Sequence, residues 1–92
     1  MLEFKRVKQQ NFYVAKVGNN TILKSYNTIV GIITHNDYKL YSVKYSRTTS
    51  KQVSQLANSK MIKDRYLVDE KQLHDIILHY TKLDIDTRYN CA

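Results

Sequence analysis

Residues 21–34 read Thr-Ile-Leu-Lys-Ser-Tyr-Asn-Thr-Ile-Val-Gly-Ile-Ile-Thr, and the fold turns on how this run is parsed. It is rich in β-branched residues, which suit a pleated, packed surface. It is also too long for one flat strand, which usually spans about 3–10 residues. Lys24-Ser25 is the natural place for a bend or bulge, which leaves residues 26–34 as the main strand. Tyr26, Thr28, Val30, Ile32 and Thr34 then share one face, and Asn27, Ile29, Gly31 and Ile33 share the other. Both faces are apolar near the middle, as expected of a central strand covered on each side.

Upstream, residues 12–17 (FYVAKV) read as a strand that ends at the turn signal Gly18-Asn19-Asn20. Residues 3–7 fit an edge strand, with Lys5 and Arg6 guarding it against pairing with other chains. Downstream, His35-Asn36-Asp37-Tyr38 is a polar turn. Residues 39–46 then alternate, with Tyr41, Val43 and Tyr45 facing one way and Leu40, Ser42 and Lys44 the other. This segment is the hairpin partner of the central strand.

The second half carries helical signals. Thr49-Ser50-Lys51-Gln52 fits a capping box, followed by Val53, Leu56 and Ala57 at helical spacing up to Asn58-Ser59. Met61-Ile62 lead into Tyr66-Leu67-Val68, which is either a short strand or an extended connector. Asp69-Glu70-Lys71-Gln72 repeats the box, and Val68 and Leu73 are placed as a hydrophobic staple. Leu73, Ile76, Ile77 and Tyr80 form one apolar stripe, which predicts a helix over 70–81. Strands followed by helices favour an α+β fold. The expectation is a small antiparallel sheet of three to five strands, mostly in the N-terminal half, with helices at about 49–59 and 70–81 on one face. A chain of 92 residues makes one domain, placed at 1–85 with a frayed tail over 86–92.

Charge is the strongest functional signal. Residues 1–65 hold twelve Lys and Arg against three acids, a balance of +9, whereas residues 66–92 hold three bases and five acids, a balance of −2. A lopsided field of this kind attracts a polyanion to one side of a small domain. The segment Arg47-Thr48-Thr49-Ser50-Lys51 combines two cations, three hydroxyls and an expected helix start. Such a segment suits a phosphate. Capping alone, with solvated cations, accounts for the same residues. Lys44 and the run Lys5-Arg6-Val7-Lys8 are further backbone-contact candidates. The placement of Lys39, Lys60, Lys63 and Arg65 relative to these does not follow from spacing. Among the eight tyrosines, Tyr41 and Tyr45 on one strand face can stack bases or form an interface, or simply meet the helices.

Catalytic patterns are lacking. His74 and His79 sit about 140° apart around a helix and do not converge on a metal, and Asp75 is expected to point away from His74. Asp84 and Asp86 near the chain end are a weak cation signal. No nucleophile triad or phosphate-cradling glycine loop is present. No enzyme activity, metal, cofactor or small-molecule substrate is therefore expected. The single cysteine, Cys91, excludes a disulfide framework and points to reducing cytoplasm. With no signal-peptide pattern and no apolar run near ~18 residues, a membrane location is not expected. A chain this short gains from pairing with a copy of itself, so a homodimer is a possible state.

Residues 25–55 resemble a family of short proteins from phages and mobile elements of low-GC bacteria. Its pattern runs Ser-Tyr-x-Thr-x-Val/Ile, a hairpin, then Tyr-Ser-x-Thr-Thr-Ser-Lys and His or Gln. Here the first part is Ser25-Tyr26-Asn27-Thr28-Ile29-Val30 and the second is Tyr45-Ser46-Arg47-Thr48-Thr49-Ser50-Lys51-Gln52. The usual His is Gln52 in this chain, so any role of that imidazole is lost. The resemblance implies a mobile-element origin and the cytoplasm of a bacterial host, and it carries no activity across. With the basic charge it gives an expectation of a non-enzymatic protein that binds nucleic acid or a host nucleoprotein complex, with an anti-defence, anti-CRISPR-like role as the concrete form. The alternative is a protein-binding module acting through a tyrosine-rich sheet or the acidic C-terminal helix.

Overall fold

In the computed structural model, residues 3–7, 11–26, 28–44 and 47–83 are described. They form an α+β fold with strands β1 (Lys5–Arg6), β2 (Phe12–Val17), β3 (Asn20–Ser25), β4 (Thr28–Thr34), β5 (Lys39–Ser42) and β6 (Asp64–Leu67), and helices α1 (Arg47–Ser59) and α2 (Glu70–Thr81). The strands make one six-stranded sheet in chain order, β1-β2-β3-β4-β5-β6. Neighbours are antiparallel except β5 and β6, which run parallel. The sheet thus exceeds the three to five strands expected, and α1 supplies the crossover that a parallel pair requires. Of the segment Tyr66-Leu67-Val68, open between strand and connector from sequence, Tyr66 and Leu67 belong to β6.

The deciding run, 21–34, reverses direction instead of merely bending. Ser25 pairs with Thr28, and Tyr26 at φ 55° occupies the turn between β3 and β4. The irregularity is real but lies in the pairing. Leu23 is opposite Gly31 whereas Lys24 is opposite Ile29, so Val30 is an extra residue on β4. A bulge resets the alternation. Val30 and Ile33 therefore enter one core, and Ile29 and Ile32 the other. The face assignment that put Val30 with Ile32 is corrected accordingly. At the preceding hairpin Gly18 takes φ 60°, the conformation that a tight two-residue turn needs at its first central position.

Each helix covers a different face, contrary to the expectation of one shared face. Val53 and Ala57 of α1 pack with Phe12, Leu23, Val30, Ile33, Leu40 and Ile62. Leu73 and Ile77 of α2 pack with Ile22, Ile29 and Ile32. Apart from Ala57, each such buried side chain contributes about 1.5–3 kcal/mol. The physical reason is the apolar character of both faces of β3 and β4, where one helix covers only one side.

The α2 end is the capping box expected. The Gln72 backbone N–H donates to Asp69 Oδ1 at 2.7 Å, and the Asp69 N–H donates to Gln72 Oε1 at 3.0 Å. Val68 and Leu73 meet in the α2-side core. Thr49 is not the cap of α1. The helix starts at Arg47, so Thr49 lies inside the first turn, where its hydroxyl is 3.0 Å from Ser25 Oγ. Thr49 docks the helix onto β3 instead of opening it. At the other end the Ile62 N–H bonds Ala57 O and the Met61 N–H bonds Asn58 O, with Met61 at φ 59°. This is a Schellman ending, with Ile62 folding back on Ala57.

Candidate nucleic-acid interface

Strand register decides where the cations go. Phe12, Val14 and Lys16 share the α1 face of β2, and Lys5 opposite Val14 joins them. Leu40 faces α1, and so does Arg65, its partner on β6. Lys44 lies in a groove against Thr49 and Ser50 of α1. Helix α1 brings Arg47 and Lys51, has no Asp or Glu, and is followed by Lys60. The α1 side therefore gathers Lys5, Lys16, Lys44, Arg47, Lys51, Lys60 and Arg65. The α2 side is mixed: Asp64 and Tyr66 share it, with Lys39 opposite Asp64 and Arg6 opposite Tyr13, Asp37 bonds Tyr80, and α2 and its cap carry Asp69, Glu70 and Asp75 beside Lys71. The charge excess of the chain becomes a difference between two faces of one sheet.

The sequence-derived site residues divide. Arg47, Thr48, Ser50 and Lys51 are exposed on the first turns of α1, with Lys44 exposed beside them. Thr49 is 4% exposed and turned onto Ser25, which removes its hydroxyl from any ligand. Lys5 and Arg6 are neighbours on β1 and so face opposite ways. Arg6 lies over the Tyr13 ring at 5.8 Å and donates to its hydroxyl at 3.4 Å, on the α2 side. Tyr41 also belongs to the α2 side, stacked on Tyr66 with ring centroids 5.3 Å apart and tilted against Tyr80 at 6.3 Å. Its ring serves the packing of α2. Lys8, Tyr45, Asp84, Asp86, Cys91 and the 86–92 tail lie outside the described residues.

Three features escaped the sequence. Lys24 is one of the twelve N-terminal cations, yet it is only 3% exposed. Its ammonium sits 4.6 Å from the Phe4 ring centre and 4.8 Å from that of Tyr13. It is a core cation–π element and contributes nothing to an outer surface. The signal available was its bulge position opposite an aromatic. His35 Nε2 is 2.7 Å from the hydroxyl of the buried Thr21. Burial pushes the His35 imidazole below its usual range, and the charges of Lys60 and Lys16 push it further. Arg65 donates from Nε to Ile62 O at 3.3 Å and from a terminal nitrogen to Asn58 Oδ1, which holds it against the end of α1.

On the opposite face the Tyr80 hydroxyl donates to Asp37 Oδ2 at 3.2 Å. Its hydrogen bond with Tyr41, together with burial and Asp37, pushes its pKa up to about 12. His74 Nδ1 approaches Asp75 Oδ1 at 3.8 Å, so Asp75 does not point away, and His79 meets Tyr80 edge-on. Among the described residues no group of three or more His, Cys, Asp or Glu is placed to hold a metal, and no helix is long and apolar enough to cross a membrane.

Residues 4–72 match the model of a family of unknown function, DUF8033. The chain belongs to that family. The DUF8033 match runs from the β1 edge through the whole sheet and α1 into the first turn of α2, so it contains the entire basic face. No curated protein and no solved structure matches the chain.

Proposed function

We propose that this chain is a non-enzymatic protein that binds nucleic acid, or a host complex containing it, through the α1 face. One observation carries the reading: α1 has no acidic residue, and Lys5, Lys16 and Arg65 of the strands beneath it share its side of the sheet, although Arg6, Lys24 and Lys39 do not. Clustered like charges on a folded surface repel one another, and a phosphate backbone relieves that repulsion by displacing counterions. The helix spans about 20 Å at 1.5 Å per residue, enough to follow several phosphates of one strand. The resemblance to mobile-element proteins supports a setting in which the bound complex is host defence machinery, and inhibition of it is the concrete role.

A salt titration of binding to generic DNA and RNA tests this. With about four contacts, log Kobs against log salt should fall with a slope of about −3 to −4. The double variant Arg47→Glu/Lys51→Glu should lose about tenfold or more in affinity and flatten the slope by about 2. Lys71→Glu on α2 should change neither. Absence of binding at low salt would reject the proposal in favour of a protein target.

A further inference from the structure

Helix α1 covers the middle of the sheet but not its β6 edge, which leaves a short groove between α1 and strands β5 and β6. It has a volume of about 250 Å³. Its floor sets the apolar Leu40, Val43 and Val53 among four Ser and Thr residues, Leu67 stands at its edge, and Lys44 and Arg65 complete a lining with no acidic residue. Leu67 is 70% exposed, an apolar side chain at the edge of this floor. Contacts to a phosphate backbone alone make no use of such a floor. A flat, weakly polar group bearing a phosphate uses both parts.

Resting on the nucleic-acid reading above, we infer that this groove seats one unpaired nucleotide of a single strand. The base lies against Leu40, Val43, Val53 and Leu67, and its phosphate is held by Lys44 and Arg65. A paired base is stacked inside its duplex and cannot reach a floor between helix and sheet, so the groove selects single strands over duplexes. The volume of about 250 Å³ lies just below the usual range for ligand pockets, about 300–1,000 Å³, which suits a single base and is too little for a dinucleotide. Arg65, tied to Ile62 O and Asn58, reaches the site already positioned.

The test compares fluorescence anisotropy for single strands of about twelve nucleotides, in DNA and RNA versions, with an abasic strand of the same backbone and with a duplex. The intact single strands should bind about tenfold or more tightly than the abasic one. Ser54→Trp, which fills the groove from α1, should bring single-strand affinity down to the abasic level and leave duplex binding and its salt slope unchanged. Leu67→Ala, an exposed change that spares folding, should lower single-strand affinity alone. Equal affinity for intact and abasic strands, or no effect of either variant, would overturn the groove while leaving the basic face standing. Failure to bind any of these nucleic acids would remove both. The stronger of the DNA and RNA arms identifies the sugar preferred.

Discussion

Gly31 sits where the bulge in β4 brings neighbouring backbones together. A Cβ built there would lie 2.9 Å from the Tyr41 carbonyl oxygen and 3.3 Å from Ser42 Cβ. The nearer atom is backbone on a paired strand and cannot step aside. Gly31→Ala should therefore cost about 1–3 kcal/mol in urea denaturation, and a loss under about 0.5 would contradict the geometry. His35 gives a pH prediction of definite sign. Its folded pKa is depressed, so the unfolded chain binds the proton more readily. The stabilisation from His35 is present above the unfolded pKa of about 6.5 and declines as pH falls through the folded value. Melting temperature should thus drop more between about pH 7 and pH 5 in the wild type than in His35→Gln. Equal drops would show that His35 is not the group responsible. The sequence marks His35 only as a turn residue, since Thr21 and Lys60 reach it through sheet pairing and the end of α1.

At the scale of elements, helix endings show what local pattern can and cannot reveal. The Asp69–Gln72 box was readable because every participant lies within four positions of the chain. The α1 start was not, because Thr49 has a better use in its bond to Ser25, a residue far away in sequence. Likewise β6 reads ambiguously, because its residues are exposed and only a parallel partner brought round by α1 makes it a strand. The end of α1 carries a measurable strain. Met61 holds a left-handed conformation at φ 59° and is 77% exposed, so it loses little burial on replacement. Left-handed backbone costs an ordinary residue about 1–2 kcal/mol, and glycine gives back part of that as unfolded-state entropy. Met61→Gly should therefore stabilise the fold by a few tenths to about 1 kcal/mol in thermal or urea unfolding. A clear loss of stability would mean that the Met61 side chain contributes packing.

For the whole molecule, the controlling fact is that each side of the sheet has its own helix and its own charge. Counting residues reveals the excess of positive charge but not its direction, which depends on three things hidden from spacing. The bulge at Val30 resets which residues face α1. The placement of α1 and α2 on opposite sides separates the cations of one from the acids of the other. The core takes Lys24 out of the surface. Of the residues singled out in sequence, Arg47, Thr48, Ser50, Lys51, Lys44 and Lys5 share the α1 side, whereas Arg6 and Tyr41 belong to the other. The most direct measurement is an amide chemical-shift map recorded while a short single-stranded oligonucleotide is titrated in at low salt. The account predicts shifts concentrated on Lys44, Arg47 to Lys60 and Arg65, fading as salt is raised, with the amides of α2 still. Shifts centred on α2 and the Tyr41–Tyr66 stack, or no shifts at all, would contradict it.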